Sequence, residues 1–207
     1  MSPGELDAFL ESVRLGVSAL AQLDSKHTLF AASAHRYSFD TVISEAELDA
    51  IERRLGFALP DDYRAFITRI GNGGAGPGYG VMGFQGGDPE DRTSYEKLAA
   101  PWAYTESYNP TDLLYADEDS AGEDELSSER YWDAFKSDGS LCLCTHGCGS
   151  YTLLVVAGPC RGQVWYDGVA DDHGYYPATD ASGQRHTFRS WYLEWLAESK
   201  AKLGGMG

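Results

Sequence analysis

Basic residues are scarce in this chain. Its 207 residues contain 16 Lys and Arg against 32 Asp and Glu, which gives a formal net charge of −16. Contacts to the phosphates of DNA, RNA or anionic lipid need cations, so this composition disfavours direct binding to nucleic acid or membrane and favours a basic partner. An acidic surface also serves solubility alone, and the charge by itself does not separate these two roles.

The sequence also lacks long hydrophobic runs and an export signal. No run approaches the length that spans a membrane. The N-terminus carries acids early and its apolar residues recur at helical spacing, which predicts an amphipathic helix over about residues 4–23 and not a signal peptide. We therefore expect a cytoplasmic protein, whose four cysteines are free thiols in that reducing compartment.

Residues 43–84 predict two helices, a glycine loop and a strand in unbroken order. Ser44 and Glu47 have the spacing of a capping box, which starts the first helix. The second helix ends where the glycines of residues 71–74 offer positive φ angles. A hydrophobic run over residues 81–84 then reads as a strand. The segment is a helix pair that leads into an antiparallel sheet.

The second half of the chain predicts more strands and a closing helix. Two apolar runs, at residues 141–146 and 151–157, are separated by a Gly-Cys-Gly turn and read as a hairpin. A third strand is expected at residues 163–167, where Trp165 could anchor an interface but is better explained as core. A final helix from about Thr187 places a row of aromatic residues on one side, and those rings should cover the sheet.

This order of elements, with L-P-D-D-Y-R-A-F at residues 59–66 and N-G-G at residues 72–74, resembles the SUKH superfamily, which includes yeast cell-wall-synthesis regulators. The resemblance covers about residues 40–200. It implies an α+β fold, with one domain over residues 40–207 in which helices pack on an antiparallel sheet of about five or six strands. Residues 1–39 would form an N-terminal helical extension, which we expect to pack on the core rather than to mediate self-association.

The resemblance also implies a function without catalysis. Bacterial members of the superfamily are mainly immunity proteins that neutralise polymorphic toxins, often nucleases, and eukaryotic members look like regulatory interaction proteins. We therefore predict a non-enzymatic protein-binding domain that needs no cofactor or metal and whose partner is a basic toxin domain. The alternative is a regulatory or scaffolding protein for an endogenous cytoplasmic partner.

One glycine motif has the letters of a nucleotide-binding site. Gly71, Gly73 and Gly76 match the dinucleotide fingerprint, but that motif works only when it follows a strand and opens a helix, so that the helix N-terminus faces the pyrophosphate. Here the motif follows a predicted helix. A turn is therefore the favoured interpretation.

The cysteines permit two chemical interpretations that we disfavour. Cys142, Cys144 and Cys148, with His146 between them, invite a zinc site, but C-x-C on a strand does not curl both thiolates onto one metal as a C-x2-C turn does. Cys148 lies at a tight turn that would suit a nucleophile, but no base or oxyanion site is identifiable for it. Structural thiols are the favoured interpretation.

The acidic loops are the segments whose chemistry points to a partner. Residues 112–129 hold eight acids and no Lys or Arg, and a second acidic loop follows the third predicted strand. Such runs are often only solvated surface, but opposite a cationic toxin they would speed association. The candidate partner-binding residues are Asp117, Glu118, Asp119, Glu123, Asp124, Glu125, Asp167, Asp171 and Asp172.

Overall fold

A computed structural model describes residues 2–87, 89–113 and 124–205, the first five of residues 124–205 by their backbone only. The helices in this part of the chain are α1 (Pro3–Leu23), α2 (Ala32–His35), α3 (Glu45–Leu55), α4 (Asp61–Arg69), α5 (Asp124–Asp133) and α6 (Phe188–Gly204). The strands are β1 (Ser140–Gly147), β2 (Ser150–Val155), β3 (Val164–Gly168) and β4 (Gly174–Pro177). The predicted α+β class is confirmed.

The sheet is antiparallel throughout, in the order β1-β2-β3-β4. It has four strands in the described residues, fewer than the five or six expected. The strand expected at residues 81–84 is replaced by an irregular segment that donates two backbone hydrogen bonds to β1, from Tyr79 to Thr145 and from Met82 to Leu143. Glycines with positive φ angles at 78 and 80 interrupt the extended conformation there, so the edge of β1 is covered without a regular strand.

Helices cover one face of the sheet. Helix α1 packs on α6 and α4, and it contributes the fully or almost fully buried side chains Phe9, Leu10, Val13, Val17 and Leu20. Gly16 brings α1 and α6 close together, because a Cβ at this position would lie 2.7 Å from Leu196 Cδ1. The N-terminal helix therefore belongs to the main hydrophobic core, as the apolar spacing predicted.

The opposite face of the sheet is covered mainly by aromatic side chains from irregular chain, together with the buried Tyr131 of α5. Trp102 stacks on Tyr175 of β4, with ring centroids 5.3 Å apart, and packs edge-on against Trp165 of β3 at 5.5 Å. Tyr104, Tyr108 and Phe135 extend the same cluster. Trp165 is fully buried here, which confirms that it belongs to the core.

The end of α1 is tied to the following connector through one buried carboxylate. Asp24 accepts hydrogen bonds from the backbone N–H groups of Thr28 and Leu29, from the Thr28 hydroxyl and from the Tyr37 hydroxyl. Burial raises the pKa of this carboxyl, but the four hydrogen bonds outweigh it and lower the pKa to about 2. Asp24 is therefore charged over the whole physiological range.

Helices α3 and α4 follow the prediction made from residues 43–84 closely. Ser44 caps α3 by accepting from the Glu47 N–H, although the returning bond of a full capping box is not among the described hydrogen bonds. The glycine loop after α4 has φ angles of 114° at Gly73 and 104° at Gly74. It follows a helix, so the fingerprint spacing of its glycines lacks the strand–helix context that a pyrophosphate site requires.

Candidate functional site

One open feature of the helical side is a cavity of about 300 Å³ between α6 and the loops beside the hairpin. We call it the α6 cavity. Its aromatic walls come from Phe30, Tyr166, Trp191 and Trp195. Phe30 is 68% exposed, an unusual position for a side chain of this size, and its ring contacts that of Tyr79 at 5.6 Å. A cavity of this kind presents aromatic surface to solvent, as protein interfaces commonly do.

A second cavity of about 250 Å³ lies at the turn end of β2 and β3, and we call it the turn cavity. It shares the lining residues His146 and Tyr166 with the α6 cavity, so the two cavities are adjacent, and we call them together the groove. The Tyr166 ring stands between them, 6.2 Å from the His146 ring and 5.4 Å from that of Tyr176. Tyr166 is therefore an aromatic wall common to both cavities.

Carboxylates line the walls of the α6 cavity. Glu194 and Glu198 lie one turn apart on α6, and Lys202 follows one turn later, 3.4 Å from the Glu198 carboxylate. One oxygen of Glu194 lies 2.7 Å from Nε2 of the buried His186. This contact is short but poorly aligned, so Nε2 has no well-directed hydrogen bond. Two carboxylates thus face one ammonium among the described residues that line this cavity.

The described lining residues of the turn cavity include two of the predicted acids, Asp167 and Asp171, and no Lys or Arg. Asp171 is exposed and accepts a 2.6 Å hydrogen bond from the Ser150 hydroxyl. Asp172 follows it in the same exposed turn, with a φ of 58°, and its carbonyl accepts from the Asn109 side chain. Asp171, in the lining of the cavity, and Asp172, beside it, are both exposed to an approaching partner.

Asp167 differs from its two neighbours, because its side chain is only 6% exposed. It accepts from the Val169 N–H and lies 3.9 Å from the Arg92 guanidinium. Burial raises the pKa of this carboxyl even though the hydrogen bond and Arg92 oppose the shift. The sequence pattern grouped Asp167 with outward-pointing acids, and the alternation of β3 instead turns it towards the aromatic face of the sheet.

The other predicted partner-binding acids have no described side chains. Asp117, Glu118, Asp119 and Glu123 lie outside the described residues. Asp124 and Glu125 open helix α5, and only their backbone is described. Among the residues whose side chains are described, the predicted acids that lie together are Asp171 and Asp172 in the turn between β3 and β4, next to Asp167 of β3.

Three of the four free thiols are buried, and the fourth, Cys148, is exposed. Cys142 and Cys144 are buried, and burial raises the pKa of Cys144 to about 12, so its thiol stays protonated. Cys148 is exposed at the hairpin tip with a φ of 53°. His146 does not face it, because its Nε2 lies 2.8 Å from the Thr152 hydroxyl and 3.7 Å from Cys144 Sγ. Within the described ranges, no three His, Cys, Asp or Glu side chains cluster to hold a metal ion.

The sequence matches a known protein family over most of its length. A family model described as the SMI1 / KNR4 family (SUKH-1) matches residues 42–183, more than half of the chain. The chain belongs to this family. No curated protein and no solved structure matches the chain.

The SUKH-1 match ends at residue 183, before α6 begins, so the groove combines matched and unmatched parts of the chain. The hairpin and β3 lie inside the matched stretch, and the α6 wall with its carboxylates lies beyond it. Helix α1, which packs on α6, precedes the match. None of the helices in the described part of this SUKH-1 protein is long and apolar enough to cross a membrane.

Sequence reasoning did not predict the α6 cavity. The only hint was the i, i+4 spacing of Glu194 and Glu198 beside that of Trp191 and Trp195, which sets a charged row next to an aromatic row on one helix. We predicted Trp195 to cover the sheet, and it is only half-buried. Phe30 comes from a connector without periodicity, and only the tertiary fold places it opposite α6.

Proposed function

We propose that this chain is a non-enzymatic, cytoplasmic immunity protein that binds and neutralises a polymorphic toxin with a cationic surface. The observation that carries the proposal is the groove formed by the α6 and turn cavities, where exposed aromatic rings lie between carboxylates. Trp and Tyr, which line both parts of the groove or one of them, are among the residue types most enriched in interface hot spots. The family match is compatible with this role, and the net charge of −16 agrees with it.

The charges of the groove suit rapid association with a basic partner. Complementary charges raise association rates towards about 10⁸ M⁻¹s⁻¹ at low salt, and the advantage fades as screening shortens to about 10 Å at 0.1 M salt. Masking a toxin needs speed as well as affinity, because free toxin acts while it remains unbound. Asp171 and Asp172 are the predicted acids best placed to contribute.

The test is protection of cells from a cationic toxin domain when the two proteins are co-expressed. We expect co-expression to restore growth and the purified proteins to associate more slowly as salt increases. Changing Asp171 and Asp172 to Asn should lower the association rate. A control with Glu47→Gln and Asp61→Asn removes the same charge from residues that line neither cavity and should leave the rate almost unchanged.

Two results would contradict the proposal. Unprotected growth with a verified toxin would exclude the immunity role. Stable capture of a housekeeping protein in its place would favour the regulatory or scaffolding alternative.

A further inference from the structure

We propose that the α6 cavity binds an arginine side chain presented by a protein partner. The inference rests on the proposed function only in taking the partner to be a protein. It assigns to one cavity one chemical group, the guanidinium, and names the residues that recognise it. The rest of the groove would contact the neighbouring residues of the same basic segment.

The size and walls of the cavity suit one long side chain. Its volume of about 300 Å³ is at the lower limit of pockets for small molecules, which suits a protein side chain better than a free ligand. Trp195 is half-buried and its ring is held edge-on against Tyr192 at 5.2 Å. Tyr166 forms another aromatic wall. Rings fixed in this way can stack on a planar cation without first becoming ordered.

Two carboxylates can complete the recognition of that cation. Glu194 has one oxygen beside His186, and the described contacts leave its second oxygen unengaged. Glu198 is engaged only by Lys202, at 3.4 Å and with both side chains more than half exposed. Exposed ion pairs of this kind contribute little stability, so an incoming cation can displace the ammonium at small cost.

Arginine fits this arrangement better than lysine does. A guanidinium is planar, stacks on aromatic faces and donates two parallel hydrogen bonds to a carboxylate, whereas an ammonium is a compact and strongly hydrated point charge. The chain's own lysine illustrates the difference, because Lys202 lines the cavity and contacts Glu198 alone among the described ion pairs.

The experiment titrates the full-length protein with capped Gly-Arg-Gly and follows the indole N–H signals of its tryptophans by NMR. We expect millimolar binding that shifts the Trp191 and Trp195 signals. Trp132 is 42% exposed and lies outside the cavity, so its signal is the internal control for non-specific contact. Matched peptides with lysine or citrulline in place of arginine keep the length and change the head group.

Three single variants test the named carboxylates and the lysine. Glu194→Gln and Glu198→Gln should each weaken binding about tenfold, the ratio expected when a hydrogen bond to a charged group is lost. Lys202→Gln should strengthen it about threefold, because a competing cation is removed. Glu47→Gln changes the net charge equally at a residue outside the cavity and should leave the affinity unchanged.

The outcomes separate this inference from the proposed function. Arginine-selective shifts with the expected order of variants support it even if no toxin is neutralised. Equal binding of the citrulline or lysine peptide overturns it, and so does the absence of any shift at about 20 mM peptide, well above the millimolar range expected for one side chain. If protection from a toxin is nevertheless observed, the immunity role stands and its contacts lie elsewhere on the fold.

Discussion

The two faces of the sheet are covered in different ways. On one face, α1, α4 and α6 contribute apolar stripes with helical periodicity, and their rings and branched chains form the larger core. On the other face, Trp102, Tyr104 and Tyr108 come from chain with almost no regular structure and pack on Trp165 and Tyr175. The α6 cavity opens on the helical side, between α6 and the loops beside the hairpin.

The chain that covers each face is held in its conformation by different interactions. A helix buries its stripe with all its internal hydrogen bonds formed, so its packing and its backbone reinforce each other. Irregular chain has fewer such bonds, and large aromatic rings must fix it by burial and ring contact instead. We therefore expect the helical face to unfold with the whole molecule and the aromatic face to open more easily on its own.

The largest effect is expected from removing α1, which tests whether the helical face is essential to the stability of the whole molecule. Deleting residues 1–38 would uncover the five almost fully buried side chains of α1 and their contact surface on α6. Each such side chain contributes about 1.5–3 kcal/mol, and domains are stable by only about 5–15 kcal/mol in total. We expect no cooperative thermal transition in the truncated chain, as measured by circular dichroism.

A pair of leucines on α1 provides the matched control for that deletion. Leu10 is fully buried and Leu15 is 63% exposed on the same helix. Leu10→Ala should cost about 2–5 kcal/mol, and Leu15→Ala should stay within about 0.5 kcal/mol. Truncation without loss of the transition would show that residues 1–38 form a separate extension and not part of the core.

The aromatic face should respond less strongly and more locally. Trp102→Ala removes a ring that contacts Tyr104, Trp165 and Tyr175, and we expect a loss of about 3 kcal/mol. Hydrogen exchange should quicken around residues 95–113 and in β4 more than in α1 or α6. Trp102→Phe retains most of the ring contact and removes an indole N–H without a described partner, so it should cost less than half as much. Uniform quickening across both faces would contradict the comparison.

The same contrast explains what the sequence could predict. Capping residues and apolar spacing predicted the bounds of α3, α4 and α6 to within a few residues, because the periodicity of a helix depends only on the residues of that helix. The hairpin was equally clear from its glycine turn. Strand β4 was missed because its four residues are held by pairing with β3 and by a single bridge from Tyr108, neither of which is a local property.

The groove depends even more on the fold. Its residues come from the connector after α1, from the hairpin, from β3 and from α6, and no single segment carries the pattern. The acids of the turn after β3 were identified because a charge run is visible in sequence. Whether such an acid is buried, as Asp167 is, depends on which face of the strand it occupies.

A smaller effect is expected from the buried carboxylate on the helical side. Asp24→Asn replaces an ionised acceptor of four hydrogen bonds and should cost about 2 kcal/mol at neutral pH. The folded pKa of Asp24 is about 2, below its ordinary value of 3.8, so its contribution is present above about pH 4 and is lost as the pH falls towards 2. Urea unfolding at several pH values should show the variant and the natural protein converging in acid. A constant difference would mean that packing, and not ionisation, gives Asp24 its importance.

The smallest effect, and the opposite sign, is expected from the buried carboxylate on the aromatic face. Burial raises the folded pKa of Asp167 above its ordinary value of 3.8, so below that value both the folded and the unfolded chain carry the proton and nothing is lost. As the pH rises, the unfolded chain ionises first, and the folded state loses stability until its own carboxyl has ionised. Asp167→Asn keeps the acceptor for the Val169 N–H and removes this ionisation cost, so we expect a gain of up to about 1 kcal/mol at pH 7.

The gain should disappear near pH 4 in the same urea series. A loss at pH 7 would instead show that the Arg92 guanidinium, 3.9 Å away, outweighs the desolvation of the carboxylate, and the two faces would then treat a buried acid alike.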